Sequence, residues 1–170
     1  MKTILYMATT PNGYIAKEND DTSFVSRQSW ESFEELSQEA GNLIIGRRTF
    51  EISLQDNTFP YPDRFNIVMI HDKVENKWGE DVLFTDKSPK NVLKVLEEKG
   101  FETAFIGGGG SINSAFLKEG LVDEIYLDIE PKVFGKGIQL FSPNDFEFNL
   151  ELLETKNLSA STIQLHYKVI

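Results

Sequence analysis

Four consecutive glycines, Gly107, Gly108, Gly109 and Gly110, constrain the fold of this 170-residue chain more than any other feature. They follow the short apolar run 103–106 and precede residues 111–118, whose spacing predicts a helix closed by a further glycine. Such a run destabilises a fold unless the backbone needs conformations that side chains hinder. Without Cβ atoms, a diphosphate can lie directly on backbone N–H groups at a helix start. The pattern therefore predicts a strand-to-helix turn that binds a phosphate-containing ligand.

A second strand-to-helix turn, Gly46-Arg47-Arg48-Thr49, follows the apolar run 42–45 and opens a brief helix. Its glycine permits close backbone approach, and two adjacent guanidinium groups suit the geometry of phosphate. A tight turn followed by solvated arginines is the alternative interpretation. The net charge of the chain is −10, so these turns are among its few concentrated anion-binding features. Their joint presence favours an anionic cofactor.

Composition excludes several classes of function. An acidic surface repels nucleic acid and anionic membranes, so neither is expected as a partner. The chain has no cysteine, which removes disulfides and thiolate chemistry and fits a reducing compartment, so we expect a cytoplasmic protein. The apolar run 1–6 is too short for a signal peptide or anchor. No grouping of His, Asp and Glu has the spacing of metal ligands.

Strand and helix patterns alternate over the first two-thirds of the chain, which predicts parallel strand pairing. A helix is expected from Ser26 to Gly41, and another is opened by Ser88 and Pro89. The tail contains two alternating segments, 146–152 and 162–169, with a turn at residues 156–157. They predict an antiparallel ribbon at a sheet edge, with His166 exposed on its polar face. With no repeat or linker, residues 1–170 are expected to form a single three-layer α/β/α domain with a mostly parallel mixed sheet.

Two common nucleotide-binding motifs fit poorly. A Rossmann fingerprint that begins at Gly108 needs glycine or alanine where this chain has Asn113, and it belongs at the first strand-to-helix turn. No Walker A lysine follows the glycines, which argues against a P-loop nucleotidase. The loop is glycine-rich without being either motif.

The ordered set of motifs resembles the dihydrofolate-reductase-like superfamily, and within it the RibD C-terminal domain family of riboflavin biosynthesis. The matching segments cover nearly the whole chain: the loop 7–16, the strand–turn–helix 44–51, the glycine loop 106–110, the segment 120–124 and Pro131-x-x-x-Gly135-x-Gly137-x-x-Leu140-Phe141. Each motif is weak alone, whereas the ordered set is specific.

The resemblance implies an NADPH-dependent reductase with the cofactor across the strand ends. Its diphosphate would lie between the two glycine turns, and Arg47 or Arg48 would bind the 2′-phosphate. His71 would support the adenosine end or be an exposed loop histidine. The implied cofactor-binding set is Ala8, Gly13, Ile15, Gly46, Arg47, Arg48, Thr49, His71, Ile106, Gly107, Gly108, Gly109, Gly110 and Ser111.

Three departures from the family pattern leave the substrate open. Asn12 and Ile106 stand where the riboflavin-pathway enzymes carry acids. Trp30 falls near the position of the carboxylate by which dihydrofolate reductases bind the pterin, with Glu31 and Glu34 beside it. Asn12, Trp30, Glu31 and Glu34 are therefore the candidate substrate-pocket residues, and the catalytic residues are not identified.

Three hypotheses follow from these patterns. The first is an NADPH-dependent reductase that transfers a hydride to a small heterocycle, a pterin or a ribosylated pyrimidine. The second is a non-catalytic NADP(H)-binding regulatory module on the same fold, consistent with the missing carboxylates. The third is a dimerisation domain with vestigial loops. A homodimer is expected to form through the C-terminal ribbon.

Overall fold

The computed structural model describes residues 1–170 and contains ten strands and four helices. The strands are β1 (Lys2–Thr9), β2 (Tyr14–Ala16), β3 (Asn42–Gly46), β4 (Phe65–Met69), β5 (Val82–Thr85), β6 (Thr103–Ile106), β7 (Glu124–Ile129), β8 (Ile138–Gln139), β9 (Leu150–Asn157) and β10 (Ile163–Val169). The helices are α1 (Arg27–Ala40), α2 (Arg47–Gln55), α3 (Pro89–Glu98) and α4 (Gly110–Lys118).

Eight strands form one sheet in the order β5-β4-β3-β6-β1-β7-β10-β9, and β2 pairs with β8 in a separate small sheet. The first six strands of this order are parallel, whereas β10 runs antiparallel to both β7 and β9. The predicted α/β class and the mostly parallel mixed sheet with a C-terminal ribbon are confirmed.

The sheet separates two apolar cores, because successive residues of a strand face opposite sides. Ile4 and Tyr6 of β1 belong to the core with Phe33 of α1 and Phe50 of α2. Leu5, between them, belongs to the other core, which contains buried side chains of α3 and α4. This arrangement gives the three layers that the strand–helix alternation predicts.

The ends of α1 follow from local chemistry. Ser26 is the N-cap, and its side chain accepts a hydrogen bond from the backbone N–H of Ser29. Gly41 ends the helix with φ of +70°, a left-handed conformation that favours glycine. Both ends match the sequence prediction.

The C-terminal ribbon differs in detail from its prediction. The first strand begins later, at Leu150, and the turn covers residues 158–162 instead of 156–157. The outer strand is β9, so β10 lies inside the sheet. His166 therefore stacks on Tyr126 with ring centroids 3.9 Å apart, and its Nε2 lies 2.8 Å from Glu124 Oε2. The predicted exposure of His166 is wrong because its ring packs on Tyr126, its cross-strand partner in β7, and because β9 makes β10 an interior strand.

The longest helix, α1, has only 14 residues, and none of the four combines the length and apolar character needed to cross a bilayer.

Candidate nucleotide-binding cleft

A cleft of about 940 Å³ opens at the carboxyl ends of the parallel strands. Sheets of this kind bind ligands at this edge, because loops enter helices there. Most residues of the implied cofactor set line it, and so does the substrate candidate Trp30. The cofactor candidates in the wall are Ala8, Ile15, Gly46, Arg47, Arg48, Thr49, His71, Gly107, Gly109, Gly110 and Ser111.

The two glycine turns, far apart in sequence, are bonded to each other. The N–H of Gly46 donates to the carbonyl of Gly108 at 2.8 Å, and the N–H of Gly107 donates to the carbonyl of Ile44 at 2.9 Å. A Cβ atom on Gly46 would lie 2.7 Å from Ile112 Cγ1, so a side chain there would force the turns apart. We call the two turns together, residues 46–49 and 107–111, the glycine end of the cleft.

The helix N-termini at the glycine end are open to an anion. Gly46 and Gly109 are the N-caps of α2 and α4, so neither helix has a side-chain cap, and neither has an acidic residue in its first turn. The first N–H groups of a helix have no partner within the helix, and the helix dipole favours negative charge there. A Cβ on Gly109 would make only ordinary van der Waals contacts, with Thr49 Oγ1 at 3.5 Å and Ile15 Cδ1 at 3.7 Å, and Gly109 lines the cleft. These residues fit a diphosphate.

The two arginines of the turn are held differently. Arg48 bonds through Nε to Asp20, and its Nη2 lies 3.3 Å from the carbonyl of Glu18. Arg47 has only looser contacts, 3.7 Å to Asp72 and 3.9 Å to Glu51, and its side chain is 60% exposed. Arg47 is therefore the more available partner for a second phosphate, and it lies on the side of the cleft that leads to His71.

The small β2–β8 sheet forms another wall, and close backbone contacts fix it. A Cβ on Gly137 would lie 2.4 Å from the carbonyl oxygen of Ala16, and one on Gly110 would lie 2.4 Å from that of Gln139. Asn113, the residue that breaks the Rossmann fingerprint, is buried and donates from Nδ2 to the carbonyl of Leu140 at 2.9 Å. The motif from Pro131 to Phe141 thus closes the cleft over α4.

Six predicted residues lie outside the cleft lining. Gly13 accepts a backbone hydrogen bond from Leu140, and Ile106 is buried in the core beneath the sheet. Gly108 is buried behind the loop, where its φ of +90° requires glycine. The structure places these three in support of the cleft.

The other three are substrate candidates that face elsewhere. Asn12 donates from Nδ2 to the carbonyl of Phe134 at 2.7 Å and so ties two loops together. Glu31 pairs with Arg27 on the exposed side of α1, and Glu34 pairs with Arg64. Glu31 follows Trp30 by one residue and so points to another side of α1, whereas Glu34, one helical turn after Trp30, is held by its ion pair with Arg64.

An aromatic cluster lines the other end of the cleft, and the sequence predicts only its Trp30 as a substrate-pocket candidate. Phe33 makes edge contacts with Trp30, Tyr61 and Tyr6, at centroid distances of 5.5, 6.0 and 5.6 Å. We call these four residues the aromatic end. A Cβ on Gly107 would lie 3.3 Å from Phe33, so the two ends adjoin at the glycine loop. Tyr6 sits in an unbroken apolar strand, which carries no sequence signal of a site.

Behind the aromatic end lies a buried carboxylate, Asp128 of β7. It accepts hydrogen bonds from the hydroxyls of Tyr6 and Ser29 and, at 2.8 Å, from Nε2 of Gln164. Burial raises the pKa of Asp128, and these hydrogen bonds oppose the rise only in part. Burial and the neighbouring carboxylate also raise the pKa of Tyr6. Tyr6 and Ser29 both line the cleft, so the carboxylate positions two of its wall residues.

Fold and cleft together define an α/β protein with a nucleotide-sized site built on two glycine turns. Residues 1–164 match the family model of the RibD C-terminal domain, and the chain belongs to that family. The uncharacterized protein YwjB of Bacillus subtilis is 29% identical to it over 170 residues, covering 98% of this chain and 97% of YwjB. YyaP of the same organism, also uncharacterized, is 24% identical over 174 residues, covering 96% and 93%.

Solved structures share the fold. A Shewanella sp. PV-4 protein named as a candidate riboflavin biosynthesis protein superposes with a TM-score of 0.86 at 25% identity, covering 100% of this chain and 99% of that one. A Thermotoga maritima diaminohydroxyphosphoribosylaminopyrimidine deaminase/5-amino-6-(5-phosphoribosylamino)uracil reductase superposes with a TM-score of 0.77 at 18% identity. That match covers 99% of this chain and 56% of the Thermotoga chain. The family is thus one that includes reductase domains of the riboflavin-biosynthesis type.

Proposed function

We propose that this protein is an NADPH-dependent reductase that transfers a hydride to a small heterocyclic substrate. The proposal rests mainly on one observation. The N-termini of α2 and α4 lie side by side, joined by the Gly46–Gly108 hydrogen bond, and the loosely held Arg47 lies beside them. In a chain of net charge −10, this is a site built for several phosphates. The membership in the RibD C-terminal domain family supports the same proposal.

The residues of this chain would bind the cofactor and the substrate and orient them toward each other. The amides at the starts of α2 and α4 would hold the diphosphate, and Arg47 would hold the 2′-phosphate. Bound NADPH supplies the hydride, which the protein does not generate. The aromatic end adjoins the glycine loop and would receive the acceptor ring. The lack of cysteine supports our proposal that the protein acts in the cytoplasm.

The direct test uses the two tryptophans. Trp30 is 39% exposed at the cleft, whereas Trp78 packs against Phe50 and Phe59 outside the cleft lining. In a Trp78→Phe variant, we expect NADPH to quench Trp30 fluorescence at micromolar levels and more strongly than NADH does. Turnover is then measured as loss of reduced-nicotinamide absorbance with pterins, pyrimidines and quinoid compounds. Binding without any turnover would favour the regulatory-module hypothesis, and no binding would contradict both.

Ser111 allows a test of the diphosphate site that spares the fold. It is the second residue of α4, exposed, and lines the cleft. Ser111→Asp places a carboxylate where the helix dipole favours it, so stability should stay equal or rise by up to about 1 kcal/mol. The same charge would repel a diphosphate, and NADPH should bind about tenfold more weakly or worse. Ser111→Ala, which removes only the hydroxyl, should bind nearly as wild type; equal loss in both variants would contradict the assignment.

We also propose a homodimer through β9. This strand pairs only with β10, and Leu150, Leu152 and Leu153 on it are 44, 53 and 47% exposed. An exposed apolar edge strand invites pairing with another chain. Leu152→Glu should convert a dimer to a monomer in size-exclusion chromatography with light scattering. Leu54→Glu, at an exposed leucine of α2, which packs on β3 and β4 in the half of the sheet away from β9, is the control and should leave the dimer intact. A monomeric wild type would contradict the proposal.

A further inference from the structure

Charge is unevenly distributed along α2, which runs between the two ends of the cleft. Arg47 and Arg48 lie at its first turn, and Ser53 and Asp56 line the cleft at its last, roughly 13 Å away for a nine-residue helix. The C-terminus of a helix carries the negative end of its dipole. The exposed carboxylate of Asp56 adds a formal negative charge at the same place. An anionic group is therefore stabilised at one end of α2 and destabilised at the other.

The first turn of α1 lines the aromatic end through Ser29 and Trp30, but it is not a free anion site. Glu130 Oε1 accepts hydrogen bonds from both the N–H and the hydroxyl of Ser26, each at 2.8 Å. The hydroxyl of Ser29 donates to Asp128. Neither carboxylate lines the cleft, but both bond to this turn from behind, so the Ser26 N–H and the hydroxyls of Ser26 and Ser29 are already engaged and are not free donors for an anionic substrate group.

Apart from Arg47 and Arg48 at the opposite end of α2, no basic side chain of α1, α2 or the Tyr61 loop lines the cleft near these carboxylates. Arg64 packs against the Tyr61 ring at 5.6 Å, yet its side chain is fully buried and bonds to Glu34 and Ser37. The remaining lining cation, Lys136, belongs to the β2–β8 wall, next to the glycine that packs on Ala16.

We infer that the acceptor site takes a planar aromatic ring that carries neither a phosphate nor a carboxylate group. This rests on the proposed function, because it assigns the glycine end to the cofactor. Aromatic rings at 5.5 to 6.0 Å offer faces and edges for a flat ligand. The lining hydroxyls of Ser29, Ser53 and Thr58 already donate to Asp128 and to backbone carbonyls, so they offer acceptor lone pairs to an uncharged heterocycle. A ribose phosphate attached to the ring would enter a region whose fixed charges are negative.

The test compares ligands that share a ring and differ in charge. Pterin and pterin-6-carboxylate form one pair, and riboflavin and FMN form another. Binding is measured on Trp78→Phe protein saturated with NADP⁺, by Trp30 quenching and by ligand-detected NMR. We expect the uncharged member of at least one pair to bind about tenfold more tightly than its anionic partner. Asp56→Lys should narrow that ratio, whereas Asp86→Lys, an exposed acid outside the lining, should not.

Equal or tighter binding of the anionic ligands would overturn the inference. It would also be overturned if no ligand of either pair bound to the NADP⁺-loaded protein. A Lys136→Ala variant tests whether the lysine affects this comparison. The inference requires that the variant still bind the uncharged ligands more tightly than the anionic ones. Failure to bind NADP⁺ at all would instead contradict the proposed function, because that step is measured before any acceptor is added.

Discussion

Replacing Arg47 and Arg48 together by alanine should abolish the preference for NADPH over NADH. A guanidinium–phosphate contact contributes roughly 1.5–3 kcal/mol, so NADPH affinity should fall about 10- to 100-fold while NADH affinity changes little. Most of the loss should come from Arg47→Ala alone. Arg47 is only loosely held by Asp72 and Glu51, whereas Arg48 is already engaged by Asp20. Dissociation constants for the two cofactors, from fluorescence titration, give the ratio.

Arg27→Ala is the matched control for this experiment. It removes an exposed arginine that pairs with Glu31 on α1 and does not line the cleft. Its cofactor preference should equal that of the wild type. If the double variant kept its preference for NADPH, the 2′-phosphate would have to bind elsewhere, and the assignment of the Gly46 turn would be wrong.

Asp128→Ala should be among the most destabilising substitutions in the chain. Asp128 is fully buried, and removing it leaves the hydroxyls of Tyr6 and Ser29 and the amide of Gln164 without their acceptor. Buried donors left unpaired cost about 1–3 kcal/mol each, so a loss of about 3 kcal/mol or more is expected. For a protein of this size that lowers Tm by about 6–12 °C, measured by calorimetry. Asp128→Asn should cost less, because its amide oxygen still accepts.

The same carboxyl should leave a signature in the pH dependence of stability. Because burial raises its pKa in the folded protein, Asp128 binds more protons folded than unfolded between the two pKa values. Its contribution to the free energy of unfolding is therefore present at acidic pH and is lost as the pH rises through the folded pKa. Between the unfolded and folded pKa values of Asp128, the free energy of unfolding of the wild type should therefore fall relative to that of Asp128→Asn as the pH rises. A stability–pH profile of Asp128→Asn that runs parallel to that of the wild type would contradict the interpretation.

Local pattern was sufficient for most elements of the fold. Ser26 and Gly41 delimit α1 through a hydroxyl cap and a left-handed residue, both of which act within one turn. The glycine run predicted the loop at the cleft for a similar local reason: among its four residues, Gly108 has a left-handed φ of +90°, which favours glycine. The C-terminal ribbon was harder. Alternation marks a strand but does not say which neighbour covers it, so His166 was placed on an edge that β9 in fact occupies.

Part of the candidate site could likewise be predicted from local sequence, and part could not. The sequence by itself determined the two phosphate-type turns, because glycine freedom, helix starts and arginines are properties of consecutive residues. Only the tertiary structure decided that Gly46 bonds to Gly108, that Arg47 is freer than Arg48, and that Asn12, Glu31 and Glu34 lie outside the cleft lining. The aromatic end and Asp128 behind it unite β1, α1, the Tyr61 loop and β7, residues up to 122 positions apart. Contacts at such separation depend on how the layers pack, and no local rule encodes them.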